Sequence, residues 1–534
     1  MRRWNGWGDE TVSQNLNTEA AGFLQQKIGA GQTMTDAAFD QVCRQVPASR
    51  LPQHALIDTG AAVRVRHSLG QSLPDWLQLR YGRIAAFPDG VAFPESGEQV
   101  RELLRFAYQH KLIVIPYGGG TSVVGHLSIP SGDWPVLTIS LRKLSQLISI
   151  DPHAQLATFG AGILGPDLEA HLRARGYTLG HFPQSFEYSS LGGWVVTRSS
   201  GQQSLRYGRI EQLFAGGKVE TPVGTLDIPA FPASAAGTDL REMLLGSEGR
   251  IGILTEVTVR ISRLPSEEQF HAWFFPNWQA AEHAMREMAQ NCLGLSMLRL
   301  SNATETQTTL AMAGHAKLIG WLERYLRWRG AGAEKCLLLT GASGSATHVA
   351  YVRRAVRSIA AQHGGIACGR RIGEKWKQGR FRNVYLRNAL WQQGYAIDTV
   401  ETACDWGQTQ AMMQALEQAA ARSLADGGER VHAYTHLSHV YQQGASVYST
   451  FVYRLSGSFE EDMRRWRSLK TALSMAIVNQ GGTISHQHGV GTDHAPYLAA
   501  EKGQLGLSAL RHLYQHFDPE GLMNPGKLLS DLPS

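Results

Sequence analysis

Two hydrophobic periods divide the chain. Apolar residues recur at helical spacing over Glu19–Ile28 and Met34–Val46, with Pro47 and Pro52 as breakers, and predict a helical N-terminal extension over residues 1–85. From Phe87 to about Leu264 short β-rich runs take over. Ile113–Ile115, Val136–Ile139 and Ile253–Ile261 read as strands, and Gly97–His110 reads as the helix that precedes the first of them. Residues 266–480 mix both periods, with helices at Trp278–Asn291 and Gln408–Leu424 beside strand-like runs such as Val447–Tyr453. The predicted class is α+β in four parts: 1–85, 86–265, 266–480 and a tail, 481–534. Within the third part, Leu318, Trp321, Leu322, Tyr325 and Trp328 form one helical stripe, with Lys317, Arg324 and Arg327 elsewhere on the helix. Such a helix packs on its own domain or lies on a bilayer; packing is the expected arrangement.

The run Ile113–Ile115 leads into Pro116-Tyr117-Gly118-Gly119-Gly120-Thr121-Ser122. Three glycines leave no Cβ between the backbone N–H groups and an anion, and the two hydroxyls add donors, so the turn suits a pyrophosphate. It is neither a Walker A loop, lacking Gly-Lys-Ser/Thr, nor the dinucleotide fingerprint, since Val123 stands where the third glycine belongs. Two further Gly/Ser blocks follow, Ser189-Ser190-Leu191-Gly192-Gly193 running on to Thr197-Arg198-Ser199-Ser200-Gly201, and Glu248-Gly249-Arg250-Ile251-Gly252-Ile253.

With Pro88–Pro94 these blocks resemble, in order and spacing, the FAD-binding domain of the vanillyl-alcohol oxidase and p-cresol methylhydroxylase (PCMH) superfamily. Within it the sequence is most similar to the alkyldihydroxyacetonephosphate synthases. That likeness extends through Arg2–Gly8, Gly180-His181-Phe182-Pro183, Tyr207–Glu211, Leu298-Arg299-Leu300, Glu401–Trp406, Gly444–Tyr448 and Gly481–Gly491. The resemblance implies a PCMH-type FAD-binding domain at 86–265, a cap or substrate domain at 266–480, and a tail that returns to complete the FAD site. It implies noncovalent FAD held by Pro116, Tyr117, Gly118, Gly119, Gly120, Thr121, Ser122, Gln184, Ser189, Ser190, Gly192, Gly193, Thr197, Arg198, Ser200, Gly201, Glu248, Gly249, Ile251, Gly252 and Ile253. Thr121 and Ser122 occupy the region where many relatives carry a linking histidine, with His126 a little further on.

The same likeness marks Tyr448, His486, His488 and His181 as catalytic and Arg299 as a substrate anchor. On a strand, His486 and His488 would share a face, as proton shuttles or metal ligands; no metal is expected. Arg299 suits a phosphate or a carboxylate equally. Three features depart from the synthases: Gln184 replaces an aspartate, Gln487 replaces the middle of three histidines, and Phe517–Lys527 is closer to the flavin-dependent 2-hydroxyacid dehydrogenases. Two activities follow. A synthase would exchange the acyl chain of acyl-dihydroxyacetone phosphate for a fatty alcohol with no net redox change, the flavin acting as an electrophilic tether. A 2-hydroxyacid dehydrogenase or oxidase of the D-lactate type would pass a hydride to the flavin and need an acceptor.

Bulk properties narrow the partners. The chain has 534 residues, 43% of them hydrophobic, enough for two or three cores. Its net charge of +6 admits anionic partners, but no basic cluster with interleaved aromatics marks a nucleic-acid module. No run of about eighteen apolar residues is present, and five scattered cysteines suit a reducing compartment. The expected setting is cytoplasmic, with a lipid-phosphate or hydroxy-acid substrate. Peripheral membrane contact and a homodimer are candidate associations.

Overall fold

A computed structural model describes residues 1–314 and 316–530. Four sheets organise it. In the first, the parallel strands Gly90–Ala92, Val136–Ser140 and Ile113–Tyr117 lie in that order, with Ile57–Asp58 antiparallel at the edge. Ile113, Val114 and Ile115 are all buried, as parallel strands covered on both faces require. A five-stranded antiparallel sheet follows, in the order Leu147–Asp151, Leu156–Gly160, Ile253–Arg260, Phe214–Thr221 and Gly224–Ile228. The two share one core around Leu104, Leu137, Phe159, Trp194 and Val257.

The third part builds a seven-stranded antiparallel sheet: Ile366–Ala367, Glu267–Phe275, Cys336–Gly344, Met297–Ser301, His432–Val440, Gly444–Arg454, Tyr395–Asp405. Helices Trp278–Gln290, Ala346–Gln362 and Thr409–Ser423 bury their apolar faces in its core. Trp7 and Trp76 from the N-terminal part belong to that same core, so this part packs against the large sheet while lending a strand to the small one. A two-stranded ribbon, Tyr177–Thr178 with Ser262–Arg263, completes the set.

Most predicted elements fall within two residues of those observed: Thr18–Ile28, Gly97–Gln109, Trp278–Gln290 and Thr409–Ser423 for the helices, Ile113–Tyr117 and Ile253–Arg260 for the strands. The predicted helix Met34–Val46 shrinks to Phe39–Cys43. Long-range bonds hold the preceding segment extended: Ala37 N–H donates to the Arg80 carbonyl at 2.7 Å, and Asp36 accepts from Arg80 and from Trp391 Nε1.

The helix Ala316–Trp328 forms as predicted, but the expected packing of its whole stripe is corrected by the structure. Leu326 is buried and Ile319 and Leu322 lean on the sheet, whereas Leu318, Trp321 and Trp328 are 69%, 67% and 79% exposed. The inward face needs only those three residues to close its small core; the aromatics are left outside.

Candidate active site

The glycine loop is held from below. Gly119 sits so close to the next layer that a Cβ would lie 1.8 Å from the Tyr188 carbonyl oxygen, and Gly120 has φ +64 with Tyr117 Oη against it. No other residue type fits either position without displacement. Ser122 O accepts from Gln71 N at 2.6 Å, and Ser122 Oγ pairs with His126 Nδ1 at 2.7 Å. The other ring nitrogen of His126 lies 3.0 Å from Glu248 Oε1.

The second block opens the short helix Leu191–Val196. Ser190 Oγ accepts from Gly193 N at 3.3 Å, and Ser189 Oγ accepts from Trp194 Nε1 at 2.7 Å. In the third block Glu248 adopts φ 53, a left-handed conformation that a non-glycine residue takes only when its surroundings demand it. Its carboxylate accepts from Val490 N and Gly491 N at 2.5 and 2.8 Å, and its carbonyl accepts from Asn524 Nδ2 at 2.7 Å. Glu248 therefore fastens the third block to both tail segments. The tail lies along Ile113–Tyr117: Val114 N donates to Leu522 O at 2.9 Å and Asn524 N to Val114 O at 2.8 Å.

All three blocks line one cleft. Of the predicted FAD-binding residues, Pro116, Gly118, Gly119, Gly120, Thr121, Ser122, Gln184, Ser189, Ser190, Gly192, Gly193, Thr197, Glu248, Gly249, Gly252 and Ile253 line it. Tyr117, Arg198, Ser200, Gly201 and Ile251 do not. Tyr117 packs its ring on His67, Arg198 reaches Glu242, Ser200 bonds His439 Nδ1 at 3.0 Å, Gly201 backs onto Phe182, and Ile251 lies in the core. A backbone-lined glycine turn with flanking hydroxyls fits a dinucleotide, as does Asn524, whose buried Oδ1 lines the cleft without a hydrogen-bond partner.

Tyr448, Gln487 and His488 line the same cleft. Tyr448 lies in register between His436 and Glu401 on the neighbouring strands. The His436 ring stacks on it with centroids 4.7 Å apart, and His488 meets it edge-on at 5.8 Å. Burial pushes the Tyr448 phenol well above its ordinary range and His488 below its own, so near neutral pH the phenol keeps its proton.

The strand expected for His486 and His488 is absent. His486 N still donates to the Glu401 carbonyl at 3.1 Å, but Gly489 and Gly491 take positive φ values of 82 and 55, and the Glu248 carboxylate takes the Val490 and Gly491 N–H groups that a neighbouring strand would have bonded. Gln487 and His488 consequently face the cofactor cleft, while His486 lines a second, outer cleft with Tyr441 and Arg209.

His181 is buried behind Ser199 at 3.2 Å, and desolvation holds its ring down at about 3. Arg299 lies behind His436: its Nη2 donates to Glu305 Oε1 at 2.8 Å and lies 3.2 Å from His436 Nδ1. Neither lines the cofactor cleft.

The cationic side chain that does line it is Arg387, which the sequence reading did not select. Its guanidinium lies 4.2 Å over the Trp76 ring, donates to the Gln71 carbonyl and is drawn down to about 10 by burial. Asn383, Asp398 and Asn524 were missed as well. Of these, Asn524 carried a local sequence signal, since it lies within the Phe517–Lys527 tail.

Asp493, beside the glycine loop, is raised to about 7, by burial first and then by Asp75 and Asp398; Lys470 and the Thr492 hydroxyl act the other way. Between its ordinary 3.8 and about 7 the folded chain holds a proton that the unfolded chain has released, so this group makes stability fall as pH rises through that window. Asp493→Asn is expected to raise unfolding stability by roughly 2–4 kcal/mol at pH 8 and by much less at pH 4.5. Urea midpoints at the two pH values check this; equal shifts at both would exclude it. Among the described residues no group of three or more His, Cys, Asp and Glu side chains is placed to hold a metal ion.

The model for the FAD binding domain matches residues 88–227, and that for the C-terminal domain of FAD linked oxidases matches residues 264–528. An alkyldihydroxyacetonephosphate synthase of Dictyostelium discoideum is 29% identical over 498 residues, covering 92% of this chain and 81% of the relative. A mitochondrial D-lactate dehydrogenase [cytochrome] of Arabidopsis thaliana is 26% identical over 504 residues, covering 93% and 83%. Among solved structures, an alkyldihydroxyacetonephosphate synthase superposes with a TM-score of 0.84 at 25% identity over 99% of both chains. p-Cresol methylhydroxylase shares the fold, with a TM-score of 0.68 at 13% identity.

Proposed function

The chain belongs to the FAD-linked oxidases of the p-cresol methylhydroxylase type, and from this premise we propose that it is an alkylglycerone-phosphate synthase: it exchanges the acyl chain of acyl-dihydroxyacetone phosphate for a fatty alcohol. The observation that carries this reading is the shared cleft, whose walls carry both the glycine loop and Tyr448, His488 and Arg387. FAD, when bound there, supplies an electrophilic centre for the substrate carbon. It is held without a covalent link by the three Gly/Ser blocks and Asn524.

The residues then divide the work. Arg387, a fixed guanidinium lining the cleft, holds the substrate phosphate. Tyr448 stays protonated at neutral pH and is positioned to donate to the departing carboxylate or to the substrate oxygen. His488, kept neutral by burial, accepts the proton of the incoming alcohol. Gln487 can hydrogen-bond in the cleft but cannot act as a base.

The test is lipid mass spectrometry after incubating FAD-loaded protein anaerobically with palmitoyl-dihydroxyacetone phosphate and hexadecanol. Alkyl-dihydroxyacetone phosphate in excess over the flavin is expected. Its absence from protein with intact FAD, together with dye reduction by D-lactate, would move the protein to the dehydrogenases.

A lipid substrate needs a lipid surface. The exposed face of Ala316–Trp328 offers Leu318, Trp321 and Trp328 among Lys317, Arg324, Arg327 and Arg329, and Arg324 lies over the Trp321 ring at 4.2 Å. Aromatic and basic side chains on one helix suit the interface of an anionic bilayer, and no helix among the described residues is long and apolar enough to cross one. The double variant Trp321→Glu/Trp328→Glu should lose binding to phosphatidylserine-containing vesicles by at least about tenfold in flotation assays. Unchanged flotation would discard this face.

A further inference from the structure

We propose that Tyr441, His486, Glu401 and His488 form a proton path between the outer cleft and the cofactor cleft, with Glu401 as its central relay. The path rests on the cofactor cleft as described above and assigns a task to Tyr441, His486 and Glu401, which do not line that cleft.

The geometry is continuous. Tyr441 and His486 line the outer cleft, which opens to the surface beside Glu242 and Lys502. Tyr441 Oη lies 2.6 Å from His486 Nε2, and His486 Nδ1 lies 3.1 Å from Glu401 Oε1. The second oxygen, Oε2, is 3.7 Å from His488 Nε2, and His488 lines the cofactor cleft. The Glu401 side chain is completely shielded from solvent. Its Oε2 has no hydrogen-bond partner and faces His488, an arrangement that costs stability unless the atom has a use.

The donors fix the direction of the hydrogens. Arg209 Nη1 lies 3.2 Å from both Tyr441 Oη and His486 Nε2, and a guanidinium can only donate. Nε2 of His486 is therefore an acceptor, and its Nδ1 carries the hydrogen pointed at Glu401. Glu401 faces His486, His439 and His488 on its three sides. Burial alone would raise its carboxyl, but these three rings hold it well below the usual carboxylate range, so at rest it is ionised and its protonated form is short-lived. His488 additionally faces Lys470 and Asp398, and His439 is tied to Ser200 and Ser204.

One transfer balances as follows. A proton from solvent reaches Tyr441 Oη as the phenol passes its own to His486 Nε2; His486 gives its Nδ1 proton to Glu401 Oε1. Rotation of the carboxyl about its Cγ–Cδ bond presents that proton to His488 Nε2, and His488 carries it into the cofactor cleft. The reverse sequence removes a proton. The 3.7 Å step exceeds hydrogen-bond length, so His488 must approach by roughly 1 Å, and this step gates the path.

The test uses FAD-loaded protein with ring-15N histidine, its Glu401→Gln and Tyr441→Phe variants, and flavin absorbance as the check that the cofactor site is intact. Glu401→Gln should lower the His488 titration midpoint by at least about one pH unit, because the carboxylate favouring its charged form is gone. Tyr441→Phe should leave that midpoint in place, slow turnover about tenfold, and respond to added imidazole with recovery, which a merely structural loss would not show. An unmoved His488 midpoint in flavin-loaded Glu401→Gln overturns the proposal, as does wild-type turnover of Tyr441→Phe from pH 6 to 9. The titration needs no substrate, so it can overturn the path even if the synthase assay fails.

Discussion

Tyr448→Phe is expected to keep its FAD and lose turnover by about a thousandfold, within the range that a positioned acid or base contributes. The substitution removes one oxygen from a side chain fixed on three sides: Glu401 and His436 sit opposite it in register, the His436 ring stacks on one face, and the His488 edge closes another. Phenylalanine fills the same slot, so the packing survives. Steady-state rates and flavin absorbance on one preparation separate the two effects. A variant within tenfold of wild type would show that the phenol does not transfer a proton. A colourless variant would show that Tyr448 helps to hold the cofactor instead.

The second large effect belongs to the glycine loop. Gly119→Ala adds one methyl group, but that methyl would lie 1.8 Å from the Tyr188 carbonyl oxygen, a backbone atom with no rotamer to change. The loop must therefore move outward, into the space the pyrophosphate would occupy. Overpacking of this kind costs about 1–3 kcal/mol of stability. A displacement near 1 Å at a binding loop is expected to weaken FAD by at least about 100-fold. The purified variant should be folded by circular dichroism and lack the flavin spectrum. Gly176→Ala is a control with φ +80 and nothing within 4 Å of its Cβ, so it carries backbone strain without the collision and should remain yellow. Flavin at wild-type stoichiometry in Gly119→Ala would mean that the loop does not contact the cofactor.

The sequence made some features legible and hid others for physical reasons. The glycine blocks announced themselves because closeness between backbones requires the absence of a side chain, and that is written directly in the residue type. The helices that pack one apolar face, such as Gly97–Gln109, were equally plain. His486-Gln487-His488 was misread because alternation on a strand presumes a strand, whereas after His486, whose N–H bonds the Glu401 carbonyl, the chain turns at Gly489 and gives its Val490 and Gly491 N–H groups to the side chain of Glu248, more than two hundred positions earlier. Arg387 gave no local sign: its importance comes from a fold that seats it over Trp76 and beside Gln71. Glu401 was noticed only as part of a motif, since neither its burial nor its three histidine neighbours can be read from one strand. The aromatic stripe of Ala316–Trp328 was visible, but which of its residues face outward depends on how few the small core beneath can take.

The bonds of Leu522 and Asn524 to Val114, and of Asn524 to Glu248, also set a timetable. The glycine loop leaves the ribosome some four hundred residues before the segment that braces it, an interval of roughly 20–80 s at usual elongation rates. Until then Ile113–Tyr117 lacks one neighbour and Glu248 lacks the side chain that caps its carbonyl. A nascent chain thus exposes an unfinished dinucleotide site for most of its synthesis, and stable FAD capture becomes one of the last events in the protein's maturation.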